Sequence, residues 1–250
     1  MSRSERRDSL LRAVEPQRNY LKNPLPPGDG VCLVCRSIAE GRGYQRCYPC
    51  RQHHAAAGGR LADAVVPIAY SISRTQHAHN LIVYKADRPS AQARHNVASL
   101  GALFLTDHWT CLTRAAGGNV THVATVPSTR GRPGPHPLEL ILTRRLRRPA
   151  IPAIPDPRYP SEDRAFHPDR FAVAPIDTGA RVLLLDDTWT TGARVQSLAY
   201  ALKTAGAASV VAVVLGRFIR PTYEPAEPLI ARLRQAPSFD LNRCALDDLQ

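Results

Sequence analysis

Apolar positions along the chain fall into runs and stripes that alternate between strand and helix periods. Val65–Ile72, rich in valine and isoleucine, predicts a strand, and Leu81–Tyr84 is a short apolar run compatible with either type. Over 90–108, Ala91, Val97, Leu100, Leu103 and Phe104 recur at helical spacing and predict an amphipathic helix. Thr121–Pro127 is a β-branched run ending in proline, a strand that meets a loop. His136–Arg148 reads as a helix with Leu138, Ile141, Leu142 and Leu146 on one face. Arg144, Arg145, Arg147 and Arg148 lie near its end, where cations suit the helix dipole. Arg181–Asp186 predicts a buried strand, Thr191–Ala205 a helix closed by Gly206, and Ser209–Gly216 another buried strand. Strand, helix and strand in that order imply a parallel βαβ unit. Shorter helical stretches are expected at Ser9–Val14 and near Leu229–Arg234.

Between these elements the pattern thins. Residues 1–30 are polar and basic and end in Leu-Pro-Pro-Gly-Asp-Gly, which reads as a flexible basic leader. Residues 149–175 hold seven prolines and little periodicity. A long stretch of that kind is either functional or disordered. The expected division is a leader over 1–30, a cysteine knuckle over 31–58, a main domain over 62–219 and a C-terminal extension over 220–250.

Composition adds little until charge is considered. At 250 residues, with 44% hydrophobic and 22% charged residues, the chain is of ordinary globular make-up. No apolar run reaches the roughly 18 residues of a membrane span. The N-terminus lacks the apolar stretch of a secretory signal, so the cytoplasm is the expected location, with no membrane partner. The net charge of +12 would suit nucleic acid. Three lysines among 33 cationic residues, with 22 prolines, fit a GC-rich coding preference equally well.

The chemistry concentrates in Val182–Arg194. Val182–Leu185 is a continuous apolar run, as befits a central parallel strand, and Asp186 and Asp187 stand at its carboxyl end, where open α/β sheets bind ligands. Thr188, Thr190, Thr191 and Gly192 then lead into a helix, whose first amides, with the threonine hydroxyls, form an anion cradle. The plainer reading is that the two aspartates end a strand and cap a helix. An anion cradle beside two carboxylates fits a phosphorylated sugar: phosphate in the cradle, hydroxyls on Asp186 and Asp187, and Mg²⁺ nearby. It is not a Walker A loop, because the Gly-Lys-Ser/Thr element is missing.

This string resembles the phosphoribosyl-diphosphate (PRPP) signature of type I phosphoribosyltransferases. The resemblance implies that Asp186 and Asp187 hold the ribose hydroxyls, and that Thr188, Thr190, Thr191 and Gly192 hold the 5′-phosphate. Arg194 stands where that family often has threonine, and a cation there can still meet phosphate. Val126-Pro127-Ser128 resembles the loop that receives diphosphate, with Arg130 and Arg132 beside it as oxyanion donors. Residues 149–170 correspond in order to the family's mobile hood, plain disorder being the alternative. The implied catalytic set is Asp186, Asp187 and Arg130; the implied PRPP-binding set adds Thr188, Thr190, Thr191, Gly192, Arg194, Pro127 and Ser128.

Cys32-x2-Cys35 and Cys47-x2-Cys50, eleven residues apart, are two knuckles whose thiolates would complete a tetrahedral zinc site. His53 and His54 are expected at the surface, and Cys111 and Cys244 alone and inert. A cysteine knuckle before a phosphoribosyltransferase domain resembles the ComF family, named for a competence protein of DNA uptake. Leu81–Lys85 resembles that family's Leu-Lys-Tyr segment, and Phe171–Val173 precedes the signature strand as it does there.

The expectation is therefore an α/β protein of the type I phosphoribosyltransferase fold. It would have a central parallel sheet with helices on both faces and a small N-terminal zinc knuckle. It would transfer ribosyl 5-phosphate from PRPP to an unidentified nucleophilic acceptor, releasing diphosphate, with structural Zn²⁺ and with Mg²⁺. The second hypothesis is a non-catalytic PRPP-binding protein in DNA uptake or nucleic-acid handling, using the basic surface. The sequence leaves room for a homodimer.

Overall fold

The computed structural model describes residues 2–41, 43–128 and 134–247. Its centre is a sheet of four parallel strands: β1 (Ala64–Ile72), β2 (His122–Thr125), β5 (Arg181–Trp189) and β6 (Ser209–Ile219), in the spatial order β1-β6-β5-β2. β5 and β6 take the middle places, and their sequences are nearly unbroken apolar runs, as strands covered on both faces require. Neighbouring side chains point to opposite faces. Leu183, Leu185, Val211 and Val213 therefore enter one core, while Val182, Leu184, Val210 and Ala212 enter another.

Helices fill both faces. The first core is covered by α1 (Arg3–Val14), α3 (Gln76–Val83), α4 (Ala91–Asp107) and α5 (Trp109–Ala115). The second is covered by α7 (Ala193–Thr204) and by the cysteine knuckle with α2 (Tyr48–Ala56). The β5–α7–β6 unit is the predicted βαβ, and α4 is the predicted amphipathic helix, capped by Ser90, which accepts from Ala93 N at 3.2 Å. α8 (Glu227–Gln235) buries Leu229, Ile230 and Leu233 against Tyr70 and Ile219.

Several expectations change. Residues 2–30 are no flexible leader. Ser2 and Glu5 form a capping box at the start of α1, and Arg7 grips Asp107 of α4 through two bonds of 2.6 and 2.9 Å. Val14 and Leu21 lie fully in the core. Charged residues cover the outside of this arm while spaced apolar ones hold it down, a pattern that composition alone hides. Leu81–Tyr84 belongs to α3 and its cap.

The helix expected over His136–Arg148 is broken. α6 (Pro137–Ile141) gives way at Leu142 to a 3-10 turn, Thr143–Leu146, and Arg147 turns left-handed. Thr143 is buried, its hydroxyl 2.7 Å from that of Thr125, and the chain must straighten by Pro149 to lie along β2. There Val123 N donates to Pro149 O and Ile151 N to Val123 O. At the opposite side of the sheet, Tyr70 N of β1 donates to Lys22 O.

The proline-rich stretch is ordered as a flap. β3 (Ile154–Pro155) pairs antiparallel with β4 (Phe171–Ala172). Arg158 bridges Asp156 and Asp169, and Tyr159 stacks on His167 at 4.1 Å. The C-terminal extension likewise joins the body, with Phe239, Cys244 and Ala245 in the first core.

Candidate functional site

β5 runs three residues beyond its expected end, to Trp189, with Thr188 paired to Gly216 and Trp189 to Arg217. Asp186, Asp187 and Thr188 are therefore strand residues, and the turn is confined to Thr190–Gly192 before α7. Gly192 adopts φ +83°, and a Cβ there would fall 2.0–2.6 Å from the Trp189 indole. The left-handed backbone and the ring beneath both require glycine. At the level of Asp187, the Leu215 carbonyl of β6 meets His77 Nε2 at 3.1 Å. Burial lowers the His77 pKa to about 4.

The two aspartates occupy different environments. Asp187 is buried, and its Oδ2 accepts from Tyr84 Oη at 2.5 Å and Lys85 Nζ at 2.6 Å, with His136 Nε2 at 3.7 Å. Burial raises a carboxyl pKa, but Lys85, His136 and Tyr84 together outweigh it and hold Asp187 below the usual range. Asp186 receives one hydrogen bond from the described residues, from Asp187 N at 2.8 Å. Burial and the adjacent Asp187 charge push its carboxyl up to about 7. His136 Nδ1 accepts from Leu138 N at 3.2 Å, so in the neutral ring the proton sits on Nε2, facing Asp187.

Pro127 and Ser128 leave β2 beside this pair, since Thr125 is in register with Leu185 and Val126 N donates to Leu185 O at 3.0 Å. They line a cavity of about 820 Å³ shared with His136, Thr143, Ile151 and Tyr159 of the flap. Arg130 and Arg132 lie outside the described residues. The flap holds the turn from above: Thr191 Oγ1 donates to Arg164 O at 3.0 Å and Arg194 donates to Ser161 O. His167 N donates to Ser197 Oγ of α7 at 3.0 Å. Thr190 is exposed.

The structure thus brings Asp186, Asp187, Thr188, Thr190, Thr191, Gly192, Arg194, Pro127 and Ser128 to one end of the sheet. Sequence reading missed Tyr84, Lys85 and His136 as members. Tyr84 and Lys85 end an apolar run whose resemblance was legible but whose position was not. His136 carried no local signal.

The four cysteines converge on the other side of β5 and β6. Cys32, Cys35, Cys47 and Cys50 are buried, with their sulfurs all within 4.8 Å of one another and the Cys35 and Cys47 sulfurs 3.6 Å apart. A left-handed Arg36 closes the first knuckle, and Cys47 is the N-cap of α2. Thiol donors of Cys35, Cys47 and Cys50 pull the Cys32 pKa down, and the same contacts push Cys47 and Cys50 up. Burial and Cys32 oppose ionisation of Cys35, but the Cys47 and Cys50 thiols and Arg217 lower its thiol as well, to about 7. Such a set can hold a metal ion.

His53 is not at the surface. It is buried against Phe166 of the flap at 5.7 Å, and burial lowers its pKa to about 4, whereas His54 is exposed. Nor do Cys111 and Cys244 stand alone, because both lie beside His108. No helix among the described residues is long and apolar enough to cross a membrane. Comparisons with protein-family models, curated proteins and solved structures find no match to this chain.

Proposed function

We propose that the carboxyl edge of β5 binds PRPP and that the chain transfers ribosyl 5-phosphate to a nucleophilic acceptor, releasing diphosphate, on a type I phosphoribosyltransferase fold. The observation that carries this reading is the unequal carboxyl pair at the end of a central parallel strand. Asp187 is satisfied by Tyr84 and Lys85, while Asp186 is half-buried with a single amide donor among the described residues. A carboxylate so placed gains from a hydroxyl donor or a cation.

In the proposed complex Asp186 and Asp187 receive the ribose hydroxyls, Thr188 lining the strand beside them. Thr190, Thr191, Gly192 and Arg194 face the 5′-phosphate at the start of α7, where helix amides favour an anion. Binding there requires Thr191 and Arg194 to release the flap carbonyls of Arg164 and Ser161. Pro127 and Ser128 receive the diphosphate, for which Mg²⁺ supplies charge neutralisation. Lys85 orients Asp187, and the cavity under the flap takes the acceptor. Electrostatic positioning carries the catalysis, with no protein nucleophile. For the cysteine cluster the proposed ion is zinc, whose tetrahedral preference suits four thiolates.

Titration calorimetry with PRPP and Mg²⁺ tests the site. Asp186→Asn/Asp187→Asn is expected to weaken binding at least about tenfold, the loss of about 1.4 kcal/mol. Thr190→Val, at an exposed position, serves as the variant least able to disturb folding. Unchanged binding in both variants would sink the assignment. Diphosphate release across a panel of bases and amines tests turnover. Absence of release from every acceptor, together with salt-sensitive binding of single-stranded DNA, would favour a non-catalytic nucleic-acid protein.

A further inference from the structure

Far from the carboxyl pair, on the face covered by α4 and α5, three metal-ligating side chains meet. His108 joins α4 to α5, Cys111 follows three residues later on α5, and Cys244 arrives from the C-terminal tail. Their ligand atoms all lie within 4.8 Å of one another. We propose that His108, Cys111 and Cys244 form a second metal site that takes a thiophilic divalent cation and clamps the tail to the helical face.

Four features of the cluster support a ligand role. The first is the histidine tautomer. His108 Nε2 lies 3.0 Å from Leu241 O. A carbonyl only accepts, so the proton resides on Nε2 and the Nδ1 lone pair is left for a ligand. Ligating histidines are commonly oriented in this way by a backbone carbonyl. The carbonyl comes from the same tail that delivers Cys244.

The second is a preformed turn. Asn242 N donates to Asp240 Oδ1 at 2.9 Å, Cys244 N to Asp247 Oδ2 at 2.7 Å, and Asp247 N to Cys244 O at 3.0 Å. Asn23 pins the turn from outside, since its Oδ1 accepts from Asp240 N at 2.7 Å. The tail thus presents Cys244 from fixed backbone.

The third is charge. Two thiolates and a neutral imidazole cancel a divalent cation, whereas the same two thiolates without it would be like charges in a largely apolar place. Phe104, whose ring lies 4.6 Å from that of His108, walls the cluster on the core side. The fourth is access. His108 and Cys244 are buried, but Cys111 is half-exposed, so an ion can arrive and a water can fill a fourth position. Zinc bonds of about 2.3 Å to sulfur and 2.0 Å to nitrogen require the ligand atoms to close by at most about 1 Å.

The test is metal stoichiometry of the full chain, purified under reducing conditions, saturated with zinc and dialysed. Native mass spectrometry and elemental analysis then count zinc per chain. The quantity read is the difference between wild type and variant, so occupancy of the four-cysteine cluster does not enter it. Cys244→Ser and, at the half-exposed position, Cys111→Ser are each expected to lose one equivalent while circular dichroism stays unchanged. With Co²⁺ in place of zinc, each variant should lose part of the thiolate-to-cobalt absorption. Equal zinc content in wild type and both variants would overturn the proposal. So would a Cys111–Cys244 disulfide persisting in the reduced, zinc-saturated protein, detected as two missing thiols after denaturation.

Discussion

Asp186 and Asp187 are neighbours with opposite electrostatic fates, and each sets an expectation for stability. Burial and the Asp187 charge push the Asp186 carboxyl up to about 7 in the folded chain, against about 4 when unfolded. The native state therefore binds the extra proton between those values, and this group's contribution to stability falls as pH rises through that window. Asp186→Asn removes the penalty. The variant should gain on the order of 1–3 kcal/mol at pH 8 and less at pH 5, read from thermal unfolding at both. Asp187→Asn acts the other way. It leaves Lys85 without its carboxylate partner and should cost about 2–4 kcal/mol, part of which Lys85→Met in the same background should restore. Gly192→Ala, forced into a positive φ and onto the Trp189 ring, should cost about 2–4 kcal/mol, measured by denaturant unfolding. At this scale the sequence announces the carboxyl pair and the glycine. It does not place Tyr84, Lys85 or His136 beside that pair, because a partner brought in by folding across 50 or more residues leaves no local periodicity.

Elements reveal a different limit. β1, α4, the strand–turn–helix of 181–204 and β6 follow from their apolar spacing, which is strongest where both faces of a strand are buried. The breaks do not. Helical periodicity through His136–Arg148 is genuine, yet the chain yields to the pull of Thr143 onto Thr125 and of Pro149 onto β2. From its own residues the flap is legible as a proline-rich gap, and as a hood only by resemblance, because its order comes from ion pairs such as those of Arg158 and from its grip on α7. That grip is testable. Arg194→Met removes the donor to Ser161 O, and amide exchange over residues 156–169 should accelerate with little change in the sheet. The cysteine knuckle is the reverse case, since its spacing alone predicts the convergence of Cys32, Cys35, Cys47 and Cys50. If zinc fills it, chelation should lower the unfolding temperature of the whole chain, because these cysteines share a core with β5 and β6.

Taken whole, the molecule closes on itself from both termini. α1 and the tail after Phe239 cover one face of the sheet, and Arg18, Lys22 and Asn23 hold tail carbonyls at 2.8–2.9 Å. Removing residues 238–250 should therefore expose the first core and lower the unfolding temperature, with increased binding of an apolar dye. Neither terminus could be placed from composition, since arginine-rich segments look solvated until their sparse apolar residues are seen in place. The hydrogen bonds that Lys22 and Pro149 make along the two outer strands have a further consequence. A second copy that tried to continue the sheet would first have to displace the 149–151 chain from Val123 on one side and the Lys22 carbonyl from Tyr70 on the other. Those contacts oppose, at the positions they occupy, the strand-to-strand stacking that drives fibril growth.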